Sequence, residues 1–130
     1  MGQQQLLLII LGVIIVGIAI AVGLSLFSAQ SIQSNKDAII NDLNNIAAQA
    51  YQYRIRPASM AGGNGCYTGF KIPTRMASNA NAIYTCDPSS GSAVTFTATS
   101  ANNTANMVYA AIDTDGKFVQ GSWSYTSDFQ

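Results

Sequence analysis

From Leu6 to Phe27 the chain runs for 22 residues without a charge; 16 of these are Leu, Ile, Val or Phe, three are Gly, two are Ala and one is Ser. The first charged side chain is Lys36. A run of this length spans the roughly 30 Å hydrocarbon core of a bilayer as a helix. At roughly −0.3 to −0.6 kcal/mol per large apolar residue, insertion is favourable by several kcal/mol even after allowance for the glycines. A cleaved secretory signal has a basic start, an apolar core of roughly 7–15 residues and a small-residue cleavage site. Here the run is longer, and Gln3, Gln4 and Gln5 precede it in place of Lys or Arg. It reads as a retained membrane helix, with Leu6, Leu11, Ile14, Ile18, Val22, Leu26 and Phe27 among its apolar surface. The nearest flanking charges, Lys36 and Asp37, cancel, so they assign no orientation.

The helical pattern continues past the apolar run. Ile32, Ile39, Leu43, Ile46, Ala50 and Tyr53 recur at helical spacing, while Asn41, Asn44, Asn45 and Gln49 fall on other faces. No Gly or Pro occurs from Leu24 until Pro57, and a proline disfavours helix in the residue before it, so Arg56 is the expected stop. Residues 1–56 therefore read as one long helix, apolar and then amphipathic, of roughly 80 Å at about 1.5 Å per residue. The amphipathic stripe needs a partner within the chain, and the apolar half has none in a single copy. Gly17, Ala21, Ser25 and Ala29 recur every fourth residue, a spacing that lets helix backbones approach closely in apolar surroundings.

Residues 57–130 read as a small head. "PASMAGGNG" is a loop by composition. "SAVTFTATS" alternates, with Val94, Phe96 and Ala98 on one face and Thr95, Thr97 and Thr99 on the other; "NMVYAAID" and "KFVQGSWSY" follow, joined by the hairpin signal "DTDG". The expected fold class is α+β, a long N-terminal helix followed by an antiparallel β-meander. Trp123, Tyr109, Phe96 and Phe118 are expected in ordinary core or sheet packing. Cys66 and Cys86 are the only cysteines and the chain has no His, which disfavours a structural zinc site. One disulfide is the economical reading if the head lies outside the cytoplasm, closing a loop of about 20 residues and contributing on the order of 3 kcal/mol; two free buried thiols are the alternative.

This order of elements resembles the type IV pilin and pseudopilin superfamily, in architecture over the whole chain and in sequence over about the first 30 residues. The resemblance implies a subunit held in the inner membrane and then stacked into a helical homopolymer. The apolar helices would form the core of an extracellular filament, built by an assembly platform and an ATPase. Family members usually carry a Glu near the mature N-terminus that pairs with a neighbour's terminal amine; here Gln5 is the candidate substitute. A neutral amide still accepts a hydrogen bond from an ammonium. The basic leader ending in Gly is not visible: it has been removed, or Met1–Gly2 is all of it, or no cleavage occurs. The proline common in the family's apolar helix is missing, and Gly17 or Gly23 could supply softness there.

The net charge is zero but unevenly spread. Residues 54–75 hold Arg54, Arg56, Lys71 and Arg75 with no acid; residues 76–130 hold Asp87, Asp113, Asp115 and Asp128 against Lys117 alone. Basic and acidic regions of neighbouring subunits could meet, setting register more than affinity; plain solvated charge is the alternative. Four basic residues on a neutral chain leave only a weak nucleic-acid footprint, so no nucleic acid is expected as a partner. With no His and no Glu, a catalytic constellation is not expected, nor is a cofactor. "DTDGK" offers Asp113 and Asp115 as a weak calcium candidate, since a calcium loop needs further oxygen ligands. A structural filament subunit is the expected function. The alternatives are a minor pseudopilin of a secretion system and a monomeric anchored envelope protein with a ligand-binding head.

Overall fold

The computed structural model describes residues 2–130. One helix, α1 (Gly2–Ile55), is followed by a 3-10 turn (Ala58–Met60) and a short helix, α2 (Thr74–Ala77). The strands β1 (Ala82–Ser90), β2 (Ala93–Ser100), β3 (Met107–Ile112) and β4 (Ser124–Tyr125) come next, before a final 3-10 turn (Ser127–Phe129). The four strands form one antiparallel sheet in the order β1-β2-β3-β4. The chain divides into two compact units, Met1–Ser34 and Asn35–Gln130. The boundary falls inside α1, so the amphipathic stretch of the helix belongs to the same unit as the sheet.

That second unit is built around the stripe visible in the sequence. Ile39, Leu43, Ile46 and Ala50 are fully buried, together with Phe96 and Ala98 of β2 and Val108, Ala110 and Ile112 of β3. Val94 and Phe129 are 1% exposed. Strands alternate their side chains between faces, and burial alternates accordingly along β2 and β3, with the threonines of β2 outward. Asn41, Asn44, Asn45 and Gln49 lie exposed on α1 as expected. Each large aliphatic side chain removed from water contributes about 1.5–3 kcal/mol.

The C-terminus of α1 is closed by "AGGNG", a loop whose composition disguises a helix cap. Gly63 N–H donates to the Tyr53 carbonyl at 2.7 Å, Gly65 N–H to Arg54 at 2.7 Å and Asn64 N–H to Arg56 at 3.0 Å. The last carbonyls of a helix have no intrahelical partner, and these amides supply one. The loop folds back so closely that a Cβ on Gly63 would overlap the Cys66 carbonyl oxygen.

One strand is added to the meander read from the sequence, and two local expectations change. β1 is a full strand, although its sequence "AIYTCDPSS" carries a proline. It is the edge of the sheet, and its register shifts between Asp87 and Ser90, so the missing N–H of Pro88 breaks no inner ladder. The expected last strand over 117–125 is broken. Phe118 makes an isolated bridge to Ile112, and regular pairing resumes only at Ser124–Tyr125. Between them Gly121 turns through the left-handed region, and the Ser122 hydroxyl takes the Ala111 N–H at 3.2 Å in place of a backbone carbonyl.

The disulfide is the second correction, because both cysteines are free. Cys66 lies beside Gly91, at the tip of the β1–β2 hairpin, where an added Cβ would stand 3.4 Å from its sulfur. Cys86 sits mid-strand opposite Phe96, with its Sγ 3.8 Å from the Phe70 carbonyl oxygen. Five residues of strand at about 3.3 Å each separate Gly91 from Cys86, too far for thiols whose Cα atoms must approach within roughly 7 Å.

Leu43→Ala should lower the unfolding free energy by about 2–5 kcal/mol through the cavity it leaves, read by thermal unfolding of the full chain in detergent. Gly63→Ala should cost about 1–3 kcal/mol in the same assay by forcing the cap open; an unchanged midpoint would contradict the cap.

Candidate functional site

The surface with the strongest physical demand lies in the first unit. Every Leu, Ile, Val and Phe from Leu6 to Phe27 is 53–73% exposed, and α1 contains a segment long and apolar enough to cross a membrane. Leaving some 16 such side chains in water forfeits about 1.5–3 kcal/mol each, more in total than the 5–15 kcal/mol that typically holds a domain folded. Gly17 and Gly23 have nothing within 4 Å of a would-be Cβ, so the chain's own packing places no demand for glycine there. Ala21, Ser25 and Ala29 are likewise exposed, as is Gln5 at the helix start.

In the second unit, both flanks of α1 are tied to the sheet by polar groups that the sequence pattern does not reveal. On the β1 side the Asp42 carboxylate accepts hydrogen bonds from the Tyr84 hydroxyl at 2.6 Å, Asn79 Nδ2 at 2.9 Å and Asn81 Nδ2 at 3.3 Å. Burial pushes this carboxyl up, but the three donors outweigh it and hold it below its ordinary value. Burial and the neighbouring carboxylate together push the Tyr84 phenol far above its usual range. Two turns earlier, Asn35 donates to the Asn81 carbonyl at 3.2 Å and accepts from the Ser100 hydroxyl at 2.7 Å. On the β4 side, Lys36 Nζ lies 4.0 Å over the Tyr125 ring and donates to the Phe129 carbonyl at 3.0 Å. Tyr125 stacks on Trp123, which meets Phe118 with ring centroids 4.7 Å apart. These rings are half-buried at the sheet edge, whereas Phe96 fills the core.

The acidic hairpin serves its own turn. Asp113 Oδ1 accepts the N–H groups of Asp115 at 2.9 Å and Lys117 at 3.1 Å, and its carbonyl takes the Tyr67 hydroxyl. Gly116 turns at φ 76°, and a Cβ there would stand 2.6 Å from the Tyr51 ring. Among the described residues no three His, Cys, Asp or Glu side chains gather where a metal ion could sit.

Two recesses flank the β1 edge. One, of about 450 Å³, is lined by Phe70, Ile72, Tyr84, Cys86 and Pro88. Burial raises the Cys86 thiol, which keeps it protonated and a poor nucleophile. The other, of about 310 Å³, is lined by Gln49, Tyr53, Arg56, Phe70 and Lys71. Comparisons with protein-family models, curated proteins and solved structures found no match.

Replacing Asp42 with Ala should strand three donors and cost about 1–3 kcal/mol. Because the folded state lowers the Asp42 pKa, its contribution is present above the ordinary carboxylate range and is lost as pH falls below about 4. The wild-type unfolding midpoint should therefore drop between pH 5 and pH 3 more steeply than that of Asp42→Asn, and parallel curves would contradict the assignment.

Proposed function

We propose that the chain is a structural subunit of a type IV pilus-like extracellular filament, held by Leu6–Phe27 in the inner membrane before assembly. The observation that carries this reading is the composition of α1. Its first half exposes an uncharged apolar surface on all sides, while its second half is a load-carrying part of the folded head. Lipid and a bundle of identical helices are equally apolar surroundings, so the same surface serves in the membrane and in a polymer core. Within such surroundings apolarity no longer favours one helix partner over lipid, and close backbone packing must supply the preference. The register of Gly17, Ala21, Ser25 and Ala29 supports that step.

The polar start of the helix supports the same reading. In an apolar core a carboxylate must be paired or neutralised. Gln5 accepts a hydrogen bond from a neighbour's terminal ammonium without carrying a charge of its own. The platform and ATPase that would extract and stack the subunits are partners this proposal requires. The head, poor in charge and rich in Asn, Ser and Thr, forms the filament surface.

Electron microscopy of sheared cell-surface material tests the proposal: regular fibres containing this chain are expected. A chain found only as a lipid-bound monomer would instead fit an anchored envelope protein. Ile14→Asp should abolish fibres by placing a charge at the helix centre, at a cost of roughly 2.5–3.5 kcal/mol. Gly17→Leu separates assembly from insertion. It keeps the helix apolar, so membrane levels should be unchanged while fibres are lost; normal fibres from this variant would contradict close helix packing.

A further inference from the structure

Two charged features of the head occupy opposite flanks of α1 at one level. At about 100° per residue, Gln49, Tyr53 and Arg56 fall within about 60° of one another, and Tyr51 lies about 200° away on average. The buried stripe through Ile46 and Ala50 runs between the two flanks. Gln49, Tyr53 and Arg56 line the 310 Å³ recess together with Phe70 and Lys71, two residues it shares with the recess lined by Tyr84 and Cys86 of β1. Tyr51 packs against Gly116, in the turn that carries Asp113 and Asp115 at the opposite side of the sheet. Arg56, Lys71 and Asp115 are exposed, and none of the three side chains has an ion-pair or hydrogen-bond partner among the described residues. The recess is floored by Tyr53 and Phe70, whose ring centroids are 5.6 Å apart.

We infer that the Arg56–Lys71 recess receives the Asp113–Asp115 turn of a second copy of this chain, forming a lateral head-to-tail contact. The inference rests on the filament reading and adds its register. The recess carries Arg56 and Lys71 and the turn carries Asp113 and Asp115, so the two are opposite in sign. Because they occupy opposite edges at one height, a copy that uses its turn on one neighbour still offers its recess to the next. Such a contact propagates. Asp115 is the principal carboxylate, since Asp113 already accepts two amides of its own turn. Lys117 belongs to the same turn and lessens its charge, and Arg54 is withdrawn over the Tyr67 ring, 5.6 Å from its centroid. Exposed ion pairs are individually weak and screened by salt. Their role is to select the register in which the helices pack, with the helices supplying the affinity.

The test uses the full chain in the cells that produce it, comparing Lys71→Glu, Asp115→Lys and the two combined, with sheared filaments and membrane-held subunit measured for each. Both positions are exposed and unpartnered, so the membrane-held subunit should keep its unfolding midpoint. Each single variant should lower the filament yield about tenfold by setting like charges against each other, and the combined variant should recover most of it. Single variants that assemble like wild type would overturn the contact. So would losses that the combination fails to restore, which would mean that recess and turn serve other partners, such as a free anion or a polyanion. A wild-type chain that makes no filaments at all would overturn the filament reading itself, and the contact with it.

Discussion

Some 16 large apolar side chains left exposed among the described residues set the terms for the rest of this molecule. The free energy they forfeit in water exceeds what a head of this size can supply by folding, so the state in which they are covered dominates. Covering them by lipid requires only length and the absence of charge. Covering them by copies of the same helix requires in addition that backbones approach, and that no bulky group intervene along one face. The chain satisfies the first condition throughout Leu6–Phe27 and offers the small-residue register from Gly17 to Ala29 toward the second.

The head meets a different problem, how to hold the amphipathic half of α1 in one orientation under a four-stranded sheet. A disulfide would constrain the unfolded chain without orienting the helix. The polar ties found instead act on orientation directly. Asp42 binds one flank to residues at the β1 edge, Lys36 binds the other to the β4 edge, and the glycine loop after Pro57 closes the end. Rotation of the helix about its axis would break the Asp42 bonds and the Lys36 contact together. With Asn35 linked to Asn81 and Ser100, this polar framework brackets the aliphatic stripe along its length.

The parts of this architecture legible in the sequence share one property: each follows from a period or a backbone rule that operates over many residues. The stripe through Ile39, Leu43, Ile46 and Ala50 is visible because helix spacing repeats, and the stop before Pro57 because proline limits its predecessor. Val94, Phe96 and Ala98 are visible because alternation repeats. What was not legible depends on single contacts between distant segments. β1 looks unlike a strand until its edge position excuses Pro88. The last strand looks continuous until Ser122 substitutes for a carbonyl. "AGGNG" looks like a slack loop until its amides are seen on the carbonyls of Tyr53, Arg54 and Arg56. Asp42 is one Asp among six in the sequence, and only the fold brings Asn79, Asn81 and Tyr84 to it. The cysteines mislead for the same reason, since parity and compartment say nothing about where Cys66 and Cys86 lie along a hairpin.

The placement of charge also bears on which kind of assembly the head permits. A two-fold dimer sets the same patch of each copy against itself. Here that would bring Arg56 and Lys71 against Arg56 and Lys71, or Asp115 against Asp115, in surroundings that salt screens only in part. Heads that meet edge to opposite edge would avoid both conflicts and satisfy charges that have no partner among the described residues. A closed ring and an open helix are both compatible with such a contact. In the proposed polymer the choice between them would rest on the rotation per subunit that the packing of the apolar helices imposes. On the proposed filament reading, weak, exposed charges would suffice for a specific outcome: they would need only to exclude the symmetric alternatives, while the apolar helix, which carries no sign, would provide the attraction common to all of them.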